Sequence, residues 1–298
     1  MKYNNLRKRL RELLKSEEYI ITPLIYDSIS AKIAESVGFK SIGTSGFCMH
    51  ASILGKPDNG QLAFNEMVES LSKIADSVNI PIIADAEAGY GNAINTIRTI
   101  KSFEKAGISG VFIEDQQIPP NCPHLQETKI ISVNEMCGKL KAALEAREDP
   151  NFLIIARTDA PFEEAIRRAK IYWELGVDMI KLDPMNRNEL EEIPKRLKGI
   201  PLHVSFDCTE GMNDGLTAHD AGKMGYKVIT FPTMALLSSV YGIKKNLQNL
   251  YNNGTDWNSR DEMMDFEQFL DFIGSKEFIN LEEKYLIKKW GNNVNKWF

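Results

Sequence analysis

Two acids spaced i, i+2 close an apolar run in Ile82-Ile83-Ala84-Asp85-Ala86-Glu87, and a Gly89-Tyr90-Gly91-Asn92 turn follows at once. On a strand, positions i and i+2 project to the same side, so the carboxylates of Asp85 and Glu87 would stand together. Neighbouring like charges are unfavourable unless a cation lies between them. Hard carboxylate oxygens of this kind suit Mg²⁺ or Mn²⁺. Gly89 and Gly91 let the chain turn sharply and let a ligand approach the backbone. A solvated acidic turn would read the same over these few residues, so the metal reading needs partners from other parts of the chain.

The elements that could supply such partners follow one repeated pattern. Short apolar runs at 19–25, 41–44, 81–85, 110–114, 153–157, 179–182, 202–205 and 228–231 are almost continuously hydrophobic, as strands of a parallel sheet buried on both faces must be. Amphipathic stretches at 28–37, 65–77, 93–106, 133–146, 162–175, 190–197 and 216–224 alternate with them. Several close on a glycine that introduces the next strand, as in Val37-Gly38, Ala106-Gly107, Leu175-Gly176 and Met224-Gly225, the usual end of a helix. Eight such units predict an α/β fold, a (β/α)₈ TIM barrel, with an open doubly wound sheet as the second choice.

The 298 residues read as one barrel domain over 1–298. An N-terminal helix spans 1–18, and a C-terminal helical extension over 249–298 begins at the Asn- and charge-rich composition shift after the eighth unit. Apolar content of 43% is enough for a large core. A net charge of −5 with no basic stripe argues against a nucleic-acid partner. No run reaches membrane-spanning length and no signal-peptide pattern opens the chain, so a cytoplasmic protein with no membrane partner is expected. Four scattered cysteines form no disulfide framework.

In such barrels the chemistry sits at the C-terminal ends of the strands. Ser45-Gly46-Phe47 follows the second strand, where backbone N–H groups could grip a substrate carboxylate. Asp85 and Glu87 close the third strand, Glu114 the fourth and Arg157 the fifth. An arginine there suits a carboxylate or a developing oxyanion. Gly89, Asn121, Asp183 and Ser205 are assigned to the same substrate wall. Cys122 and His124 lie in a loop over 117–129 interrupted by Pro119, Pro120 and Pro123; its length and polarity predict a lid. Cys48, Cys137 and Cys208 read as packing residues, and His50, His203 and His219 as structural or exposed, since they lack metal-ligand spacing.

These residues in this order resemble the isocitrate lyase / phosphoenolpyruvate mutase superfamily, in its short-chain branch of methylisocitrate lyase, dimethylmalate lyase and phosphonopyruvate enzymes. The resemblance runs from Tyr26-Asp27 through Ser45-Gly46, Gly55-Lys56-Pro57-Asp58, Asp85 to Asn92, Ile113-Glu114-Asp115-Gln116, Cys122, His124 and Ala156-Arg157, to Asp178-Met179-Ile180 and Leu281-Glu282-Glu283-Lys284-Tyr285. It implies a barrel whose eighth helix is swapped between subunits of a homodimer or homotetramer. It also implies Mg²⁺, chemistry on α-keto or α-hydroxy carboxylates, and Asp58 near the reacting group. Lyases of the family carry a Lys-Lys-Cys-Gly-His type motif, and this chain reads Pro120-Asn121-Cys122-Pro123-His124. Thiol and histidine are kept while both basic residues are lost. Gly43 stands where an aromatic residue is common, and Glu87 replaces the usual aspartate.

The expected activity is therefore Mg²⁺-assisted cleavage of a C–C bond in a 2-hydroxy di- or tricarboxylic acid, methylisocitrate-like or dimethylmalate-like. It would release pyruvate or another α-keto acid, with Cys122 protonating the departing enolate. The alternative is a phosphoenolpyruvate or phosphonopyruvate mutase or hydrolase, or an oxaloacetate-type decarboxylase or hydrolase, which would not need the thiol.

Overall fold

Runs such as Leu153-Ile154-Ile155-Ala156 can hide both faces only when helices cover the outside of the sheet and side chains fill its inside. The computed structural model, which describes residues 1–122, 128–206 and 214–286, has that architecture. Eight parallel strands close into a barrel in chain order: β1 (Ile20–Ile25), β2 (Ile42–Thr44), β3 (Ile82–Asp85), β4 (Gly110–Glu114), β5 (Leu153–Thr158), β6 (Met179–Leu182), β7 (Leu202–Ser205) and β8 (Val228–Phe231). The helices are α1 (Lys2–Ser16), α2 (Ser28–Val37), α3 (Gly46–Leu54), α4 (Phe64–Ser77), α5 (Ala93–Lys105), α6 (Val133–Ala146), α7 (Phe162–Glu174), α8 (Arg187–Arg196), α9 (Ala218–Met224), α10 (Met234–Asn253), α11 (Phe266–Phe272) and α12 (Ser275–Tyr285).

The two ends of the barrel differ in chemistry. At the N-terminal ends of the strands, Leu10 of α1 is fully buried in a cluster with Ile83, Leu153, Ile155, Met179 and Val228, so the floor is apolar and closed. Arg7, one turn earlier, is buried against Glu104 and Asp149 and donates to the Ile108 carbonyl at 3.0 Å. At the C-terminal ends the register sets polar side chains beside one another: Glu114 pairs with Arg157, Arg157 with Lys181, and Lys181 with His203. The apolar bottom holds the barrel together and leaves the top free for chemistry.

Helix starts at the top are fixed by side chains. Ser45 accepts from the Cys48 amide at 3.3 Å and caps α3, while Asn92 accepts from the Ile94 amide at 2.9 Å and caps α5. Each such cap contributes about 1 kcal/mol. Helix α3 is not among the elements expected from the sequence, and α10 extends unbroken over 20 residues through the start of the composition shift at 249. Residues 1–238 form one compact unit and residues 239–298 a second, so the division falls inside α10. The second unit holds the remainder of α10, a 3₁₀ turn at Trp257–Glu262, α11 and α12. Among the described residues no helix is long and apolar enough to cross a membrane.

Candidate metal centre and active site

Strand β3 stops at Asp85, so Glu87 is not on its face, and strand alternation is not what brings the two acids together. Glu87 lies in the following turn with φ of 50°, and Tyr90 has φ of 57°, left-handed conformations that cost a non-glycine residue about 1 kcal/mol or more. The turn is held from three elements. The Glu87 carbonyl accepts from the Glu114 amide at 3.1 Å, the Ala88 carbonyl from Lys139 Nζ of α6 at 3.0 Å, and the Gly89 carbonyl from Thr99 Oγ1 of α5 at 3.1 Å. Asp85 is fixed as firmly: its Oδ1 accepts from the Glu87 amide and its Oδ2 from the Gly46 amide, both at 3.0 Å. The Gly46 amide, expected to grip substrate, is therefore used on Asp85. A Cβ at Gly46 would stand 2.3 Å from Glu87 Oε1 and 3.0 Å from Asp85 Oδ2, so any larger residue there would displace the two carboxylates. Gly43 is held to glycine by backbone, because a Cβ would stand 2.8 Å from the Ile83 carbonyl oxygen.

Asp85, Glu87 and Glu114 are all buried. Burial, with Asp85, Asp58 and Glu114 adding repulsion, pushes the Glu87 carboxyl well above the ordinary glutamate range. Burial also raises Asp85 and Asp58, and raises Glu114 strongly against the opposing pull of Arg157. Glu87 Oε1 and Asp58 Oδ1 are buried without a hydrogen-bond partner among the described residues. Crowded, desolvated, unpaired carboxylate oxygens are what a hard divalent cation relieves, so the residues present fit one. His50 comes close to the same acids, with Nδ1 3.4 Å from Asp58 Oδ1. Its Nδ1 already meets the Gly46 carbonyl at 2.9 Å, and its Nε2 accepts from the Leu62 amide at 3.1 Å. With both nitrogens engaged, His50 supports the loop and is a poor ligand.

Arg157 is half-buried between carboxylates, with Glu114 at 3.3 Å, Asp159 at 2.9 Å and Asp183 at 3.6 Å. Asp159 is fixed in turn by Asp115, whose Oδ1 accepts the Asp159 amide at 3.0 Å. Asp115 Oδ2 accepts from Thr158, Arg168 and Tyr172 at 2.7, 2.8 and 3.0 Å. Gln116 joins this network to the thiol loop, donating to Asp159 Oδ2 at 2.7 Å and accepting the Asn121 amide at 2.9 Å. The Cys122 amide donates to the Asp58 carbonyl at 3.3 Å.

One cavity of about 750 Å³ gathers these groups. Ser45, Phe47, Asp58, Asp85, Glu87 and Glu114 line one part, and Asn121, Cys122, Arg157, Asp183 and Ser205 line the rest. Gly46 and Gly89 are not among the residues that line the cavity. His124 and residues 123–127 of the expected lid lie outside the described residues, as does Cys208. Cys48 is buried and donates to the Pro232 carbonyl at 3.1 Å; burial pushes its thiol up to about 11. Cys137 is partly exposed. His203 is buried against Thr230, and His219 is exposed beside Tyr19. Gln116, Asp159, Lys139 and Lys181 belong to the site or its support and were not assigned there from sequence. The signal for Lys181 was present, as a charge inside the apolar strand Met179-Ile180-Lys181-Leu182.

Comparison with known proteins places this geometry. The family model described as phosphoenolpyruvate phosphomutase matches residues 10–251. The chain is 34% identical to 2,3-dimethylmalate lyase of Eubacterium barkeri, covering 94% of this chain and 98% of that protein. It is also 34% identical to 2-methylisocitrate lyase of Aeropyrum pernix, covering 90% and 87%. Among solved structures, phosphonopyruvate hydrolase in complex with oxalate and Mg²⁺ superposes with a TM-score of 0.86 at 27% identity, covering 96% of this chain and all of that one.

Proposed function

The chain belongs to the phosphoenolpyruvate phosphomutase family, and on that premise we propose a Mg²⁺-assisted carbon–carbon lyase. It splits a 2-hydroxy di- or tricarboxylate into a 2-oxo acid, pyruvate or glyoxylate, and a second carboxylic acid. The observation that carries this reading is the convergence of three buried carboxylates, an arginine and a thiol on one cavity. Relatives named as lyases of dimethylmalate and methylisocitrate support the reaction class.

Held by Asp85, Glu87 and Glu114, the ion would supply Lewis acidity and a template for the 2-hydroxy and carboxylate oxygens of the substrate. The Ser45 hydroxyl accepts from the Cys48 amide, which leaves its own proton to donate to that carboxylate, with Phe47 alongside. Asp58, with its unpartnered Oδ1 on the cavity, takes the hydroxyl proton. As the C–O bond becomes a carbonyl, the C–C bond breaks and its electron pair moves into the enolate of the second acid. Arg157 steadies the forming keto oxygen. The Cys122 thiol then protonates the enolate carbon, with His124 assigned to tune it. Release of pyruvate or glyoxylate from a panel of 2-hydroxy diacids, with Mg²⁺ and with a chelator, tests the reading. Turnover indifferent to chelation, or no 2-oxo acid from any member, would reject it.

A homodimer or homotetramer is part of the same proposal. Tyr251, Phe266 and Phe278 of the second unit are 87%, 71% and 69% exposed, more aromatic surface than a lone chain keeps in water. An eighth helix exchanged between copies would cover it. Sedimentation as a single 33.7 kDa chain would refute the assignment.

A further inference from the structure

Lys181 has no part in the mechanism above, yet it stands inside the barrel. It is 2% exposed, and its Nζ hydrogen-bonds Asp183 Oδ2 and lies 5.6 Å from the centre of the Phe112 ring. The side chain lines the cavity, and its charge acts on the Asp85 carboxylate. Taking an ammonium out of water costs several kcal/mol, and one carboxylate uses only one of its three donors. That carboxylate is itself shared: Asp183 Oδ1 accepts from the Ser205 amide at 3.3 Å, and its Oδ2 also lies 3.6 Å from Arg157.

The charges on the cavity wall then restrict the ligand. Asp58, Asp85, Glu87, Glu114, Asp159, Asp183 and Glu189 contribute carboxylates, while Arg157 and Lys181 are the only lysine or arginine among the described lining residues. Arg157 already faces three of those acids. The loop residues Pro119, Pro120 and Asn121 carry no charge. A substrate carboxylate chelated at the metal end is provided for. Among the described lining residues a second one finds a cation not already paired with several acids only at Lys181, and a third finds none. We infer that Lys181 is the specificity-determining residue that receives the second carboxylate, and that the substrate is a dicarboxylate rather than a tricarboxylate. This rests on the hydroxy-acid lyase reading and names the substrate class within it.

Malate and 2-hydroxybutyrate have four carbons each and differ by a carboxylate in place of a methyl group, and isocitrate adds a third carboxylate. Calorimetry in Mg²⁺ should show the wild-type protein binding malate roughly 10- to 100-fold more tightly than 2-hydroxybutyrate, the range of one charge-assisted hydrogen bond, and isocitrate no more tightly than malate. Lys181→Met should bring the first ratio to about one, whatever it does to the affinity both acids share. Lys181→Gln, which keeps a donor for Asp183 without the charge, serves if the methionine variant does not fold. A malate advantage that survives in either folded variant, or that is absent in the wild type, overturns the role of Lys181. Isocitrate binding more tightly than malate overturns the dicarboxylate class. Failure of all three acids to bind the wild type would overturn the hydroxy-acid reading itself, and this inference with it.

Discussion

Asp85 is placed before any ion arrives: two backbone amides, those of Gly46 and Glu87, each hold one of its oxygens at 3.0 Å. Such fixed donors orient a carboxylate but leave lone pairs on both oxygens for a cation. Asp85→Asn removes the charge and presents an amide group among oxygens, so Mg²⁺ affinity should fall by more than about 100-fold, beyond what losing a merely supporting group costs. Calorimetry showing unchanged affinity would remove Asp85 from the ligand set. Cys122 has a different task, to deliver a proton to carbon. Cys122→Ser keeps size and hydrogen bonding but raises the donor's pKa by several units, so kcat should fall about 10²- to 10⁴-fold, the usual worth of a general acid. Pyruvate binding in Mg²⁺ should survive. A serine variant cleaving at the original rate would make Cys122 a packing residue and favour the mutase or decarboxylase chemistry.

At the scale of elements, the centre is where the start of α3 meets the turn after β3. Gly46→Ala puts a Cβ 2.3 Å from Glu87 Oε1 and 3.0 Å from Asp85 Oδ2, so the Glu87 carboxylate must swing away from Asp85 while the backbone of its turn stays held. Overpacking of this kind costs about 1–3 kcal/mol, and both Tm and Mg²⁺ affinity should drop. Unchanged values would mean that Glu87 is free to move aside. Much of this architecture was legible in the sequence, because strands buried on both faces read as apolar runs; 110–114 and 228–231 coincide with β4 and β8. Helix α3 was not legible: Cys48, Met49 and His50 are buried in succession, which erases the 3.6-residue period. Helix α10 was missed although Leu236, Val240, Ile243, Leu247 and Leu250 recur every three or four residues. Within the site, the acids and Arg157 stood at strand ends, where the rule for barrels looks. The left-handed Glu87 broke the alternation argument, since nothing in a glutamate announces positive φ. The bond from Gln116 to Asp159 spans 43 positions, a separation no local pattern reports.

Over the whole molecule, the buried acids tie stability to pH and to metal. Asp58, Asp85, Glu87 and Glu114 all have folded pKa values above their ordinary ones, through burial first. Without metal, each therefore contributes stability that is full below the ordinary carboxyl range and is lost as pH rises through its raised folded value. Other acids work the opposite way. Lys181 and Arg157 overcome burial to hold Asp183 well below the aspartate range, and hydrogen bonds from Arg167 and Arg168 lower Glu164 to about 2. Those two contribute stability above the ordinary range that is lost as pH falls. The overall profile mixes both signs, so the informative quantity is a difference. Between about pH 5 and about pH 8, the metal-free wild-type protein should lose more stability than Glu87→Gln, which has one fewer carboxylate to ionise in the dry site. Added Mg²⁺ must displace protons from the same oxygens, so the rise in Tm it produces should grow with pH in the wild type and be much smaller in the variant. Thermal unfolding of both proteins at the two pH values, with chelator and with Mg²⁺, measures this directly. Parallel pH profiles without metal, or a Mg²⁺ effect equal in both proteins, would show that Glu87 ionises as a solvated acid and holds no ion.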